Sequence, residues 1–255
     1  MCSTVKASLP TWRHVLAIAK FRRFQVYGQR CSGTNALIKL LERNLEELEF
    51  TEDFGFKHWL VPEEVEIPDD VFVIVIARQA DQWLRSLHAK PWHAHPDLKE
   101  MDFGEFIRAE WRSVWDEEFW GIDRAHPKFG QPIEGELCPQ TGSPFPNAIA
   151  MRTCKLRNWS DGASRATGYA LVSHSELVTR PERLIERLAA ATKLEKRKEF
   201  VPVTTYKGQN SKIFVPTEYS PVQPADVAFI RRYLDQAVEG HFASSPLTSA
   251  TAACG

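Results

Sequence analysis

The chain has 255 residues, of which 43% are hydrophobic and 25% are charged, as is usual for a globular protein. Its formal net charge of -1 gives no support for non-specific binding to nucleic acid, so an anionic ligand needs basic groups gathered locally. The five cysteines show no metal-ligand spacing, and no apolar run is long enough to span a bilayer. We therefore predict a cytoplasmic protein with no membrane span.

The first third of the chain alternates predicted strands with predicted helices. Residues 24–27 form a buried strand, and residues 36–45 carry apolar side chains at helical spacing. A short strand and loop are predicted at 54–60. The strongest strand signal is the apolar, β-branched run 71–77, which is typical of a central parallel strand buried on both faces. A helix follows from about Ala80.

The middle of the chain, residues 90–147, has a different pattern and is predicted to be a helical and loop-rich insertion. Residues 103–119 have the apolar stripe of an amphipathic helix. Residues 126–147 are rich in proline and glycine and lack a clear period, which indicates a loop-rich segment.

The alternation resumes with a strand at 169–173 and helices at 181–188 and 224–238. Strands that alternate with helices predict an α/β domain over residues 1–242, with a mostly parallel sheet flanked by helices. The last residues, 243–255, are rich in Ser, Thr and Ala and are predicted to be a disordered tail.

A glycine-bounded turn, GQRCSGTN at residues 28–35, lies between the first strand and the first helix. This is the context of a phosphate-binding loop, because the N–H groups at a helix start attract anions. Walker A has the form GxxxxGK[ST], whereas Thr34 and Asn35 occupy its last two positions here. The loop therefore lacks the lysine and the magnesium ligand that cleavage of a triphosphate requires, but it can still bind a phosphate group.

Two further polar residues follow the strongest strand. Arg78 lies at its carboxyl end, and Ser86 comes eight residues later on the next helix. In open α/β sheets, ligands bind outside the carboxyl ends of strands. A guanidinium binds phosphate bidentately, and a hydroxyl can add a hydrogen bond. The alternative is that Arg78 is a surface ion-pair partner and Ser86 is merely solvated.

Three segments, in this order, resemble motifs of sulfotransferases. RCSGTN at 30–35 resembles their 5′-phosphosulfate loop, and ARQADQWLRS at 77–86 resembles their 3′-phosphate element, an arginine followed eight positions on by serine. VSHSELVTRPE at 172–182 is similar to their "YEDLxxxPE" segment. A short match at 206–209 resembles their late "RKG" loop over the 3′-phosphate, for which the alternative is a solvated lysine in a turn.

The resemblance implies a P-loop-like sulfotransferase fold and the donor 3′-phosphoadenosine 5′-phosphosulfate. The sulfuryl group would pass to a hydroxyl or amine of a carbohydrate or small-molecule acceptor. No metal is required on this interpretation, because the donor has no γ-phosphate and the sulfuryl group carries less charge than a phosphoryl group. The residues that would hold the donor are Arg30, Cys31, Ser32, Gly33, Thr34, Asn35, Arg78, Ser86, Lys207 and Gly208.

The chain departs from the sulfotransferase pattern at two places. Cys31 occupies a position where the family commonly has Lys or Arg, so the preceding Arg30 becomes the candidate cation at the leaving group, and Cys31 is predicted to pack beneath the loop. Lys57 and His58 adjoin, whereas the family has "K-x-H-L". His58 is the candidate general base, and Lys57 is the candidate contact to a bridging or sulfonate oxygen. A structural hydrogen bond is the alternative for His58.

Two other functions stay open at this point. A P-loop kinase with a relocated lysine would need magnesium, a triphosphate and an acidic ligand after the strongest strand, where Arg78 stands instead. A non-catalytic nucleotide-binding module would keep the loop without turnover. Neither the oligomeric state nor the acceptor follows from the sequence.

Tryptophans are frequent between residues 83 and 120. They could provide an apolar or sugar-stacking acceptor pocket, and on the sulfotransferase interpretation the insertion at 90–147 lies on the acceptor side and shapes acceptor choice. Helical spacing predicts that most of these tryptophans belong to the core and that one or two line the site. They are Trp83, Trp92, Trp111, Trp115 and Trp120.

Overall fold

The computed structural model describes residues 21–205, 212–215 and 217–242, so the predicted tail at 243–255 lies outside the described residues. The described sheet has 4 strands in the order β2-β1-β3-β4, and every neighbouring pair is parallel. The strands are β1 Arg23–Gly28, β2 Glu49–Phe50, β3 Val71–Ala77 and β4 Gly168–Ser173. All of them therefore end at the same edge of the sheet, and the predicted α/β class with a parallel sheet is confirmed.

Helices flank this sheet and connect its strands. None of the helices in the described ranges combines the length and the apolar character needed to cross a bilayer. The helices are α1 Thr34–Asn44, α2 Ala80–Ala89, α3 Pro96–Lys99, α4 Phe103–Arg108, α5 Glu117–Trp120, α6 Ala148–Ser164, α7 His174–Thr179, α8 Pro181–Thr192, α9 Pro224–Tyr233 and α10 Gln236–Gly240, and a 3₁₀ turn spans Glu134–Glu136.

Strand β3 is buried along its whole length, as predicted. Because side chains alternate between the two faces of a strand, Phe72, Ile74 and Ile76 pack into the layer that contains residues of α1 and α8. Val73 and Val75 point the other way and pack into the layer that contains α6. Both faces are covered by helices, which explains why the run is continuously apolar instead of alternating.

The predicted strand at 54–60 is wrong. That segment consists of turns and irregular backbone, and Gly55 has a φ of 108° that an extended strand does not contain. The strand that pairs with β1 is β2, which lies earlier and pairs through Arg23 with Glu49 and through Phe24 with Phe50. The loop after β2 is therefore free to bring its side chains to the carboxyl edge of β1.

The predicted helix at 103–119 is wrong beyond its first turns, since α4 ends at Arg108. Trp111 then pairs with Phe145 in an isolated antiparallel bridge, and its N–H donates to the Phe145 carbonyl at 2.8 Å. This tertiary pairing outweighs the helical spacing of the apolar residues. Helical structure returns only in the single turn of α5.

Helix α6 lies in a segment for which the sequence pattern predicted no element. Arg152 and Lys155 are buried on this helix, with exposed fractions of 0% and 1%, and they interrupt the apolar stripe that would reveal it. The predicted helix at 224–238 is divided into α9 and α10. Asp235 causes the division, because its carboxylate caps α10 by accepting hydrogen bonds from the backbone of that helix's first turn.

Candidate functional site

The candidate site lies at the carboxyl edge of the sheet, where the 28–35 loop joins β1 to α1. Gly28 pairs with Ile76 near the end of β3, and Ala77 pairs with Ser173 at the end of β4. The loop, the residues after β3 and the residues after β4 therefore lie side by side. No side chain caps α1 and no acidic residue occupies its first turn, so the N–H groups there are available to an anion.

Two glycines determine the shape of the loop. A Cβ at Gly28 would lie 2.6 Å from the Ile76 carbonyl oxygen, so only glycine allows the loop to leave β1 this close to β3. Gly33 has a φ of 87°, and a Cβ there would lie 2.9 Å from Cδ2 of His174. The loop therefore needs glycine at both ends, for close approach and for the left-handed backbone.

The change Gly33→Ala is expected to destabilise the protein by about 1–2 kcal/mol from the left-handed backbone, plus the cost of displacing His174. Gly142→Ala is the matched control, because Gly142 also has a positive φ, of 64°, but a Cβ there meets no atom within 4 Å. Urea unfolding of both variants measures the difference. Equal losses in the two variants would contradict the contact between Gly33 and His174.

Several buried donors at this edge have no hydrogen-bond partner among the described residues. They are Nε and Nη2 of Arg30, Oγ of Ser32 and Nε of Arg78. Ser32 is 0% exposed and Arg30 is 6% exposed. A buried polar group left unpaired costs about 1–3 kcal/mol, so donors of this kind gathered at one place indicate where the oxygens of a ligand complete the site.

Arg152 on α6 connects the loop that follows β1 to the residue that follows β3. Its Nη1 donates to Oε1 of Gln29 in the loop at 3.1 Å, and its Nη2 donates to the carbonyl oxygen of Arg78 at 2.8 Å. Glu239 neutralises the guanidinium by accepting from Nε at 2.6 Å. Arg152 is completely buried, and these contacts occupy its guanidinium, so it positions the loop and Arg78 relative to each other. Because the contact to Arg78 uses only the backbone carbonyl, it does not engage the Arg78 side chain.

Cys31 joins the loop to α2. Its thiol lies 3.8 Å from the Lys90 carbonyl oxygen, and Ser86 is close enough to influence the pKa of the thiol. Burial raises the pKa of the Cys31 thiol, and the opposing effects of Ser86 and the nearby cations do not reverse that shift. The side chain is therefore a neutral thiol that packs between loop and helix, not an activated nucleophile.

Arg30 is held by a buried ionic cluster that we call the Glu136 cluster, consisting of Arg30, Ser113, Glu136 and Lys155. Oε1 of Glu136 accepts from Nη1 of Arg30 at 2.5 Å and from Nζ of Lys155 at 2.9 Å. Oγ of Ser113 donates to the other carboxylate oxygen. The two cations share a single carboxylate, so the cluster keeps a positive surplus directly beside the loop, and this surplus favours a bound anion.

The protonation of this cluster follows from its charges. Burial on its own would raise the pKa of Glu136, but Arg30 and Lys155 outweigh it, with help from the hydrogen bond of Ser113, and lower the pKa to about 2. Burial lowers the pKa of Lys155 to about 8, with Glu136 opposing the shift. Both groups are therefore charged at neutral pH.

His58 contacts the loop directly. Its Nδ1 lies 2.6 Å from the carbonyl oxygen of Gly28, which can only accept, so Nδ1 carries the proton and Nε2 is the basic nitrogen. Burial, followed by the charges of Arg30 and Lys57, lowers the pKa of His58 well below 6.5. The ring is therefore neutral, and it has both the structural hydrogen bond and a nitrogen able to accept a proton.

Lys57 faces a different direction. Its Nζ lies 2.8 Å from Oε1 of Glu52 and 4.6 Å from the centroid of the Phe56 ring. Of the adjacent pair, the structure brings His58 and not the ammonium group of Lys57 to the loop. Lys57 contributes instead through its backbone, whose carbonyl accepts from the N–H of Gly28 at 3.0 Å.

His174 belongs to the site but was not singled out by sequence reasoning. It is the first residue of α7, directly after β4, and it packs on Gly33. Burial, and then the charge of Arg78, lowers its pKa to about 4, so the imidazole is neutral. Its position at a strand end was the signal that could have identified it. Glu136 and Lys155 also belong to the site and were missed, because no local sequence pattern indicates their contacts.

The remaining predicted residues divide into two groups. Thr34 is buried and Asn35 is half-buried in the first turn of α1, where the loop ends. Lys207 and Gly208 lie outside the described residues. Within the described ranges, no group of three or more His, Cys, Asp or Glu side chains could hold a metal ion.

The chain was compared with protein-family models and with curated proteins, and neither comparison gives a match. The function must therefore be argued from the chemistry of the site.

Proposed function

We propose that the protein is a sulfotransferase with a P-loop-like architecture that binds 3′-phosphoadenosine 5′-phosphosulfate and transfers its sulfuryl group to a hydroxyl or amine acceptor. The observation that carries the proposal is the set of buried, unpartnered donors on Arg30, Ser32 and Arg78 beside an uncapped helix start. Together with the positive surplus of the Glu136 cluster, these donors favour an anion with several oxygens.

The donors occur at two neighbouring strand ends, which favours a ligand with two anionic groups. Arg30 and Ser32 follow β1, while Arg78 follows β3, and these strands are hydrogen-bonded neighbours. Parallel strands lie about 4.8 Å apart, so one nucleotide can reach both ends. A 5′-phosphosulfate on the loop and a 3′-phosphate on Arg78 and Ser86 match this arrangement, whereas the linear triphosphate of ATP would use only the first end.

The proposed chemistry is an in-line displacement at sulfur. The acceptor oxygen or nitrogen forms a bond to sulfur while the bond between sulfur and the phosphate's bridging oxygen breaks, and that oxygen keeps the electron pair. Nε2 of His58 takes the proton from the acceptor. Arg30 and the N–H groups of the loop stabilise the charge that develops on the leaving bisphosphate. The lowered pKa keeps His58 unprotonated at neutral pH, ready to accept a proton, and it also makes the imidazole a weaker base than an ordinary histidine.

Thermal denaturation tests the proposal directly. Adenosine 3′,5′-bisphosphate without magnesium is expected to raise the melting temperature, corresponding to about 2.7 kcal/mol when the nucleotide is present at about 100 times its Kd. Stabilisation by ATP with magnesium, and none by the bisphosphate, would replace this proposal with a kinase. Binding of the bisphosphate with no transfer of labelled sulfate to any acceptor would indicate a non-catalytic nucleotide-binding module.

A further inference from the structure

A layer of half-buried aromatic rings lies beside the candidate site. Neighbouring ring centroids in this layer, including contacts through His93, lie 4.4 to 6.1 Å apart. Of the five tryptophans singled out from the sequence, Trp83 and Trp111 belong to the core, at 0% and 1% exposure. The other three keep part of their surface exposed and lie in this layer, so the prediction that most of the five are core residues is wrong. The aromatic layer consists of Phe56, Trp59, Trp92, Trp115, Phe119 and Trp120.

The aromatic layer lies directly beside His58 and the Glu136 cluster of the candidate site. The Phe56 ring centroid lies 5.2 Å from that of His58. Gly135 packs against the indole of Trp59, since a Cβ at Gly135 would lie 2.8 Å from its Cδ2. The next residue, Glu136, holds Arg30. A molecule bound on the layer would therefore lie next to the proposed base and next to the anion-binding loop.

The layer contains buried polar atoms that lack hydrogen-bond partners among the described residues. They are Nε1 of Trp59, Nδ1 of His93, Oδ2 of Asp116 and Nε1 of Trp120. His93 and Asp116 do not satisfy each other, because Nδ1 of His93 and Oδ1 of Asp116 are 3.9 Å apart. The layer thus combines aromatic faces with polar atoms that lack partners, namely two indole N–H donors and one carboxylate oxygen.

A surface groove borders the layer at Asp116. Its volume is about 350 Å³, which lies within the range of roughly 300–1,000 Å³ typical of small-molecule sites. Asp116 lines it, together with the charged side chains Lys99, Glu117 and Arg124. Helix α5 contributes Phe119 and Trp120 to the layer and lines the groove through Glu117 and Glu118, so the groove and the rings meet at this single turn.

We propose that the aromatic layer is the acceptor site and that the acceptor is a carbohydrate. A sugar ring presents an apolar C–H face, which packs on an aromatic ring, and hydroxyl groups at its edge, which pair with the indole N–H groups and the carboxylate of Asp116. A phenol would fill the aromatic surface, but its single hydroxyl could not pair with all of these polar atoms. This inference rests on the proposed function, since it assigns the acceptor class of the same reaction.

Ligand-observed saturation-transfer NMR on the full chain tests the assignment, with cellobiose, lactose and chitobiose as saccharide probes and 4-nitrophenol as the phenol probe. At least one saccharide is expected to receive saturation from the protein. Trp120→Phe keeps an aromatic face but removes the N–H, and Asp116→Asn keeps the size of the side chain but removes its charge. Each is expected to weaken saccharide binding about 5–10-fold, the effect of losing one hydrogen bond to a well-placed group.

The control variant is Tyr233→Ala, which removes an aromatic ring that is 45% exposed on α9, outside the aromatic layer. Saccharide binding should be unchanged in this variant. Saturation transfer to 4-nitrophenol alone, or saccharide binding that is unaffected in both Trp120→Phe and Asp116→Asn, would overturn the inference.

Binding of adenosine 3′,5′-bisphosphate, measured on the same proteins, separates the two proposals. If the bisphosphate binds and no saccharide does, the acceptor assignment alone fails. If a saccharide binds through Trp120 and Asp116 but the bisphosphate does not bind, the proposed sulfotransferase function fails and the aromatic layer stands as a carbohydrate site.

Discussion

Replacing Glu136 with glutamine is expected to lower the free energy of unfolding by about 3–5 kcal/mol, the usual cost of removing one partner from a buried ion pair. Glu136 is 0% exposed on its side chain and is the only carboxylate in the described part of the chain that contacts Arg30 or Lys155. Without it, both cations stay buried and lack a counter-charge. Urea unfolding at neutral pH measures the loss.

Glu134→Gln is the matched control, because Glu134 belongs to the same 3₁₀ turn but is exposed. The control is expected to change stability by no more than about 0.5 kcal/mol, as is usual for a surface substitution. A second variant, Glu136→Gln with Lys155→Met, removes one charge of each sign and should recover part of the loss. Equal stabilities of Glu136→Gln and Glu134→Gln would contradict the role of the Glu136 cluster.

The pH dependence of this loss has a definite sign. The pKa of Glu136 falls from 4.5 to about 2 on folding, so its contribution to stability is fully present above pH 4.5 and disappears as the pH falls toward 2. A protonated Glu136 resembles glutamine. The difference in unfolding free energy between the wild-type protein and Glu136→Gln should therefore shrink over this interval.

Replacing Arg78 with alanine is expected to weaken the binding of adenosine 3′,5′-bisphosphate by about 2–5 kcal/mol, because it removes a charged partner of the 3′-phosphate. Arg78 has a buried Nε without a protein partner in the described residues, and it follows β3 directly. Its backbone carbonyl, which accepts from Arg152, is unchanged by the substitution. The fold should therefore survive, and titration calorimetry can measure the affinity.

Arg85→Ala is the control, because it removes one positive charge from the same part of the chain but outside the candidate site. Arg85 lies on α2, but its guanidinium packs 5.4 Å from the Phe103 ring centroid and lines a separate groove of about 540 Å³. Bisphosphate binding should change little in this variant at moderate ionic strength. A further variant, Arg78→Lys, keeps the charge without the planar fork and should give an intermediate loss. If Arg78→Ala binds as tightly as the wild-type protein, Arg78 is not part of the site.

The Glu136 cluster links the segment at 90–147 to the 28–35 loop. Ser113 and Glu136 both belong to that segment, and through them it holds the side chain of Arg30, which is part of the loop. The same segment provides Trp92, Trp115 and Trp120 of the aromatic layer. On the proposed function, the segment would therefore orient both substrates of one reaction, so mutations in it should affect donor binding as well as acceptor binding.

Local patterns predicted those parts of the protein that depend on local physics. The uninterrupted apolar run predicted β3 as the central strand, because a strand covered by helices on both faces has no polar side. The glycines of the 28–35 loop predicted the tight turn between β1 and α1, because few other residues tolerate its backbone and its close approaches. Arg78 was singled out as a candidate ligand-binding residue because it follows the carboxyl end of a predicted strand. The predicted helix at 103–119 was wrong because apolar spacing does not reveal whether a partner such as Phe145 will draw the backbone into an extended pairing.

The sequence by itself determined the parallel α/β class, the glycine-bounded loop and the strand-end arginine, because each depends on neighbouring residues or on a short period. Only the tertiary structure decided that Glu136 binds Arg30, since 106 positions separate them and a buried ion pair has no local signature. The tertiary structure also decided which tryptophans leave the core to form the aromatic layer. Helical spacing alone cannot distinguish a buried ring from a half-exposed one, because exposure depends on which distant segments pack against it.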